Sequence, residues 1–596
     1  MLSVKKHKRR KKSDSVALEP LFRATKEALI HDLDVDVNYS QGNVGSREVE
    51  YASYTASGPH LFKRFKQVLD FDKRLIYSSD TSFDTLTKDA LRKFRESQAE
   101  FHVPEPLNQR ENLVIAKSRE ICAAVLGTFS YDSWFDSCSF GKRAAVGLPY
   151  AKSYLDVRFD RLSGTEMQWA AFDHCLSRDM HLFRAVRERL TTRKTVNEIS
   201  VTAVPKSFKS ARIIAPDTIL GGFLSRGLGD YIRWRLEKET HINLSKQQYR
   251  HRLWARNASL KGHLATIDMS KASDSFTWRH IQLIVPEDWH HALDCVRTRR
   301  CNVDGDVVDL TSYMLMGSGH TFPLQTLLFY CLAEATRLLL KRRGRVSVYG
   351  DDIIVPTSMS THLIAVFSSL GFTINSDKSF YDEPDTLRPS YTFFRESCGG
   401  DYKGGIDVRP YMPECDLQRE GRVPRGTFIA WCHKIINGLL DRWEACEIPL
   451  TLNYLLNAIN SMKRSVCFVP AWEVDHAGIR HYIPPYLLIG RECSYIKYED
   501  SYPTYWRLTF VEIKRERGIF ERPYLWYSYF LHKDAHARTP TPIELLKFIG
   551  SPLTSEESLG VETVDGLFSP SVALDGEARK DRAGVYRWKK REPKRR

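Results

Sequence analysis

The chain has 596 residues, 42% hydrophobic and 12% aromatic, with a formal charge of +15. Those values exclude a disordered chain and fit a globular protein with several cores. The charge sits mainly at the ends. Residues 1–12 hold Lys5, Lys6, Lys8, Arg9, Arg10, Lys11 and Lys12 with no acid, and residues 585–596 hold seven further Lys/Arg against Glu592, so the body between is close to neutral. Such runs are usually flexible and solvated, and a polyanion such as nucleic acid is their commonest partner. Twelve cysteines with no Cys-x-x-Cys pair argue against a zinc ribbon or a disulfide framework and fit a reducing cytoplasm. No apolar segment follows the basic start, so no secretory signal is expected. There is no Gly-x-x-x-x-Gly-Lys-Ser/Thr loop, which argues against a nucleotide-driven motor, and no internal repeat.

In chain order, residues 13 to about 85 carry no legible motif. Asp84 to Gly127 is helical in pattern, with Leu91, Phe94, Leu113, Ile115, Ile121 and Val125 spaced for buried faces. Thr128 to Gly164 reads as loops over a packed layer, and helix returns from Glu166 to Thr191. In Val201 to Asp217, VTAVPKSFKSARIIAPD, the cations Lys206, Lys209 and Arg212 recur every three residues. Three cations on one strand edge can grip a triphosphate through charge-assisted hydrogen bonds; a solvated loop is the plainer account. Arg226 to Arg256 interleaves Tyr231, Arg233, Trp234, Arg235, Tyr249, Arg250, Arg252 and Trp254. That mixture suits a single nucleic-acid strand or, equally, an amphipathic helix with its rings turned inward.

Leu264 to Ile267 predicts a buried strand with Asp268 at its end, and Asp274 follows across a Ser-rich turn. In Met314 to Phe322, Gly317 and Gly319 allow close backbone approach to a ligand, while Ser318 and Thr321 offer hydroxyls to a sugar or phosphate. Phe322 to Leu340, interrupted by Gln325, Glu334 and Arg337, predicts a buried helix and no membrane span. Arg345 to Val355, RVSVYGDDIIV, predicts a tight hairpin with Asp351 and Asp352 at its tip. Adjacent carboxylates repel unless cations neutralise them. Asp268 with Asp351 and Asp352 fits a site for two Mg²⁺ ions roughly 3.5–4 Å apart, serving in-line phosphoryl transfer. Thr361 to Leu370 reads as a helix and Phe372 to Ile374 as a strand. Lys378 in the following turn is placed to protonate a leaving pyrophosphate, a surface lysine being the default.

VPKSFKSAR, TIDMSKASDS, MGSGHTF, YGDD, GFTINSDKSF and FRESCGGDYKGGIDV occur in that order between residues 199 and about 410. This resembles the RNA-directed RNA polymerase, or replicase β subunit, of the single-stranded RNA bacteriophages. The resemblance implies an α+β right-hand fold of fingers, palm (a small antiparallel sheet backed by helices) and thumb. On that plan residues 1–12 are a basic tail, 13–85 an N-terminal extension and 86–260 fingers. Residues 261–410 are the palm, 411–575 thumb and C-terminal region, and 576–596 a second basic tail. It implies Asp268, Asp351 and Asp352 as ligands of two Mg²⁺ ions. Lys206, Lys209 and Arg212 would receive the nucleotide, with Gly319 and Thr321 beside it. Asp274 and Ser318 would read the ribose 2′-hydroxyl, Ser318 standing where the family tends to have Asn. Lys378 would be the general acid. The implied partners are single-stranded RNA template, product RNA, nucleoside triphosphates, host elongation factors Tu and Ts, and a ribosomal small-subunit protein. The implied location is the cytoplasm of an infected bacterium. A reverse transcriptase, which also carries Tyr-x-Asp-Asp, and a non-catalytic RNA-binding protein remain as alternatives. Tyr524 to Phe530 is a ring-rich candidate for template exit or helper docking, against an ordinary core.

Overall fold

The computed structural model describes residues 15–35, 58–77, 82–141, 143–150, 153, 155–191, 193–207, 210–381, 393–462, 468–470, 474–476 and 478–481, and the short segments 496–499, 502–505, 507–512 and 586–591. The elements that matter for the site are, in order, α1 (Glu19–Leu33), α2 (Pro59–Asp70), α3 (Phe83–Glu100), α4 (Gln109–Leu126), the hairpin β1 (Thr202–Ser207) and β2 (Ser210–Ile214), α5 (Ile219–Glu239), α6 (Gln247–Lys261), β3 (Leu264–Ile267) and β4 (Met269–Ser270). Then come α7 (Thr321–Leu339), β5 (Ser347–Tyr349), β6 (Asp352–Pro356), α8 (Ser360–Ser369), β7 (Thr373–Ile374), β8 (Phe394–Ser397), β9 (Gly400–Lys403), α9 (Arg425–Leu440) and α10 (Pro449–Ser461). The chain is thus α+β, with many helices around small sheets.

At the centre lies a three-stranded antiparallel sheet in the order β5-β6-β3. Tyr349 pairs with Asp352, so the hairpin loop is the two residues Gly350 and Asp351. Gly350 has φ +65°, which a tight hairpin turn requires. A Cβ there would also lie 2.4 Å from the Phe322 ring, and the Gly350 amide donates to the Thr326 hydroxyl at 2.9 Å. The turn is therefore clamped onto α7. Ile353 pairs with Ile267 and Val355 with Ala265. Directly opposed residues share a face, and these four, with Val348, are buried in the large core built with α4, α5, α7 and α8. The expected buried helix at 322–340 is α7, buried nearly all round from Thr321 to Ala333.

A second core joins segments far apart in sequence. Leu21, Phe22 and Leu29 of α1 and Phe65 and Val68 of α2 pack with Ile429, Ile435, Ile436, Leu455 and Ile459 of α9 and α10. Ser15–Ala17 pairs with Arg422–Pro424, and Leu75–Ile76 with Cys415–Asp416. The segment expected as an N-terminal extension shares its core with residues 411–461.

Several expectations need correction. The helical stretch from Asp84 to Gly127 is two helices, α3 and α4, separated by residues 101–108; Leu113 is 55% exposed, while its neighbour Val114 takes the inward position. Residues 128–164, expected as loops, contain the helices Tyr131–Ser137 and Leu155–Asp160. The helix expected from Glu166 to Thr191 ends at Arg178, because Asp179 leaves helical geometry and its carboxylate caps the next turn at His181 and Leu182. In the C-terminal basic run, expected as a flexible tail, Tyr586–Arg591 pairs antiparallel with Arg507–Glu512. Tyr524 to Phe530, Lys209 and residues 1–12 lie outside the described residues. Among those described, no helix is long and apolar enough to cross a membrane, and all ten cysteines are free thiols, nine of them buried.

Candidate functional site

Extending the β6–β3 register by one residue beyond the Ile353–Ile267 pair puts Asp268 directly across from Asp352. Opposed residues of an antiparallel pair have Cβ atoms about 4.5–5.5 Å apart on the same face. Asp351, at the hairpin tip, is exposed beside them. Ala265, Ile267, Val348, Ile353 and Val355 alternate to the far side, so the carboxylates share the face that does not enter the large core with Ser347 and the buried Ile354.

Each carboxylate has its own anchorage. Asp352 Oδ1 accepts from the Cys398 amide at 3.0 Å and the Ser397 hydroxyl at 3.2 Å. Burial pushes Asp352 up to about 6, with repulsion from Asp351 and Asp268 adding to it against the Cys398 bond. Asp268 Oδ2 accepts from the Asn375 amide at 2.7 Å, and its backbone is tied to Asn375 and Ser379. Burial and Asp351 raise Asp268; Lys378 opposes them.

Pairing of β7 with β4 sets the turn Asn375–Lys378 against Asp268. Lys378 Nζ lies 4.0 Å from Asp268 and 3.9 Å from Glu396, half-exposed. Burial alone would lower its pKa, but Glu396, Asp268, Asp352 and Asp351 together raise it, so the ammonium stays protonated at neutral pH. Lys206 belongs to β1, where the register shifts between Pro205 and Ser207, and Arg212 pairs with Val204 across the hairpin. Burial lowers Lys206, as do Arg212 and Lys378, while Asp268 and Asp351 pull it up. Lys206, Lys378 and the aspartates therefore share one electrostatic field.

The remaining candidates are arranged differently. Gly317 has φ +127°, and a Cβ on it would lie 2.4 Å from the Ala215 carbonyl; one on Gly319 would lie 2.7 Å from the Arg226 backbone. The close approach expected toward a ligand is to the chain's own backbone, because this loop is pressed onto α5. The Gly319 amide donates to Ser225, whose hydroxyl donates to the buried Asp217 at 3.0 Å. Burial raises Asp217 to about 6 against its bonds to Ser225 and Ser318. Ser318 also sits 3.0 Å from His320 Nδ1. Thr321 is buried with its hydroxyl on the Leu315 carbonyl, bracing the loop. Asp274 accepts from Ser273 and is tied through its carbonyl to Ser312; burial raises it to about 6.

In the basic-aromatic run the amphipathic account holds for Tyr231, buried and stacked on Trp289, for Arg235, bonded to the Val125 carbonyl, and for Arg252, bonded to the Cys398 carbonyl. Trp234 and Tyr249 stay exposed, at 51% and 67%. Sequence reasoning assigned no role to Asn375, Glu396, Ser397 or His251. The first three lie in motifs that were read as wholes. His251 has one weak signal, its place on the Gln247–His251–Ala255–Ala258 face of an otherwise basic helix.

Among the described residues no three His, Cys, Asp or Glu side chains are gathered closely enough to enclose a metal ion as they stand. Asp268, Asp351 and Asp352 nevertheless form an all-oxygen donor set of like charges, in which the Asp351 carboxylate adds to burial in raising Asp268 and Asp352. Hard divalent cations such as Mg²⁺ favour such ligands and relieve such repulsion. The residues present fit that group.

The family model for the β chain of RNA replicase matches residues 97–418, more than half of the sequence and all of this site. The chain belongs to the RNA replicase β-chain family. Its similar proteins include the RNA-directed RNA polymerase subunit beta of Enterobacteria phage SP, 39% identical over 222 residues, 36% of this chain and 37% of the relative. The RNA-directed RNA polymerase beta chain of Escherichia phage MS2 is 31% identical over 285 residues, 47% of this chain and 50% of the relative. The subunit beta of Escherichia virus Qbeta is 35% identical over 243 residues, 40% and 39%. The aligned part thus spans half or less of each relative.

Proposed function

We propose that this protein is an RNA-directed RNA polymerase that copies a phage RNA genome by nucleotidyl transfer from nucleoside triphosphates, releasing pyrophosphate. The observation that carries the reading is the register that opposes Asp268 to Asp352 beside Asp351, in a chain of the replicase family. On this reading the β5-β6-β3 sheet is the palm, residues 86–260 the fingers, and 411–575 the thumb region.

Asp268, Asp351 and Asp352 would hold two Mg²⁺ ions, which when bound neutralise phosphate charge and increase the acidity of a ligated hydroxyl. Lys206 and Arg212, with Lys209, bind the triphosphate through charge-assisted bonds. Lys378, kept protonated by the carboxylates around it, donates a proton to the leaving pyrophosphate. Asp274 and Ser318 test the 2′-hydroxyl. Template pairing selects the base, so the protein need recognise only shape and sugar. The partners are single-stranded template, product RNA and nucleoside triphosphates. Elongation factors Tu and Ts and a ribosomal small-subunit protein are proposed as helpers on the family resemblance, in the cytoplasm of an infected bacterium.

The test is template-dependent incorporation of labelled ribo- and deoxyribonucleotides with Mg²⁺, with and without bacterial extract. Ribonucleotide incorporation supports the reading, and a need for extract adds the helpers. Deoxyribonucleotide incorporation would make the enzyme a reverse transcriptase. RNA binding with no synthesis under either condition would make it a binding protein.

A further inference from the structure

The polar face of the sheet carries a buried hydrogen-bond chain behind Asp352. His251, fully buried on α6, has Nδ1 3.0 Å from the Ser397 hydroxyl and Nε2 2.8 Å from the Ser347 hydroxyl. Ser397 is 3.2 Å from Asp352 Oδ1, and Gln247 Nε2 is 2.5 Å from Ser347.

The directions of these bonds follow from donor counts. An ionised carboxylate only accepts, so the single Ser397 hydrogen points at Asp352. That hydroxyl offers His251 only lone pairs, and Nδ1 must carry the imidazole hydrogen. Burial pushes His251 down to about 3, so the ring is neutral and Nε2 is bare. Nε2 accepts from Ser347, which accepts from Gln247. Each hydrogen is used once, along a single path from the first turn of α6 to the carboxylate. Side-chain donors behind a ligating carboxylate fix its orientation, and losing one typically costs about 10–100-fold in metal affinity.

We infer that His251 is a positioning residue that, through Ser397, aims the Asp352 carboxylate at its divalent cation. This rests on the metal-dependent polymerase reading above. The plainer alternative is that His251 only satisfies buried polar groups for folding. The two separate on which nitrogen matters. Asn at this position places a donor near Nδ1, whereas Gln reaches the Nε2 position and leaves Ser397 without its donor.

Mn²⁺ binding to the full chain, followed by the electron paramagnetic resonance of the free ion, reads the effect without turnover, and thermal melting monitors the fold. His251→Phe, His251→Gln and Ser397→Ala are expected to raise the half-saturating Mn²⁺ concentration about tenfold or more, and His251→Asn by less than about threefold. The Mg²⁺ requirement for RNA synthesis should follow the same order. Ser397→Ala removes only a hydroxyl, so it decides the matter if a ring substitution unfolds the chain. Wild-type Mn²⁺ affinity in Ser397→Ala, or equal losses in the Asn and Gln variants that track melting temperature, would overturn the inference alone. Absence of Mn²⁺ binding by the wild type would overturn the metal reading and this inference with it.

Discussion

The two faces of the β5-β6-β3 sheet are built from alternate residues of the same strands, yet they answer to different constraints. On one, Ala265, Ile267, Val348, Ile353 and Val355 are buried in the large core. On the other, Asp268 and Asp352 stand opposed, with Ser347 behind them in the Gln247–His251–Ser397 chain. The apolar face gains stability from burial, while the polar face holds repelling carboxylates that only a cation or a proton relieves. On the proposed reading, function lies one residue out of phase with stability, and substitutions on the two faces should separate activity from folding.

The largest expected effect is Asp352→Asn. It keeps shape and removes a like charge, so RNA synthesis should fall by about a thousandfold or more while melting temperature is unchanged or higher. Lys378→Leu should slow synthesis about 10²-fold with RNA affinity little changed, read as kcat against a binding titration.

Asp217, buried beside α5 and outside the sheet, makes folding itself depend on pH. Its folded-state pKa of about 6 lies above the ordinary carboxyl value of 3.8, so folding favours the protonated form. Stability is therefore lost as pH rises from about 4 through 6, the reverse of a salt-bridged carboxylate, by on the order of 3 kcal/mol. Asp217→Asn should flatten this dependence in urea midpoints at pH 5 and 7.5. On the apolar face, Ile353→Val should cost about 1 kcal/mol in urea unfolding and leave synthesis within about twofold at a permissive temperature. If it lost activity as Asp352→Asn does, the separation of faces would fail.

The hairpin around Gly350 was legible because β-branched runs flank a turn that demands positive φ, and the strand at 264–267 because a short apolar run ends at Asp268. Their mutual register was not. Leu-Ala-Thr-Ile has small or apolar side chains on both faces, and a slip of one residue would send Asp268 to the wrong side. That choice is made in three dimensions, by α7 on one face and α6 on the other. Gly317 and Gly319 misled for a related reason, since close approach to a ligand and close approach to the chain's own backbone need the same missing Cβ. The shared core of α1, α2, α9 and α10 depends on pairings across some four hundred residues, which no local period reports. His251 stayed hidden because its partners, Ser347 and Ser397, come from two separate strands 96 and 146 residues further on.

The most direct test is RNA synthesis and RNA binding measured in the same samples for wild type and Asp352→Asn, with Mg²⁺ and whatever host factors the wild type requires. Synthesis by the wild type alone, with equal binding by both, is the predicted result. Equal synthesis by both would contradict the placement of the chemistry on the polar face.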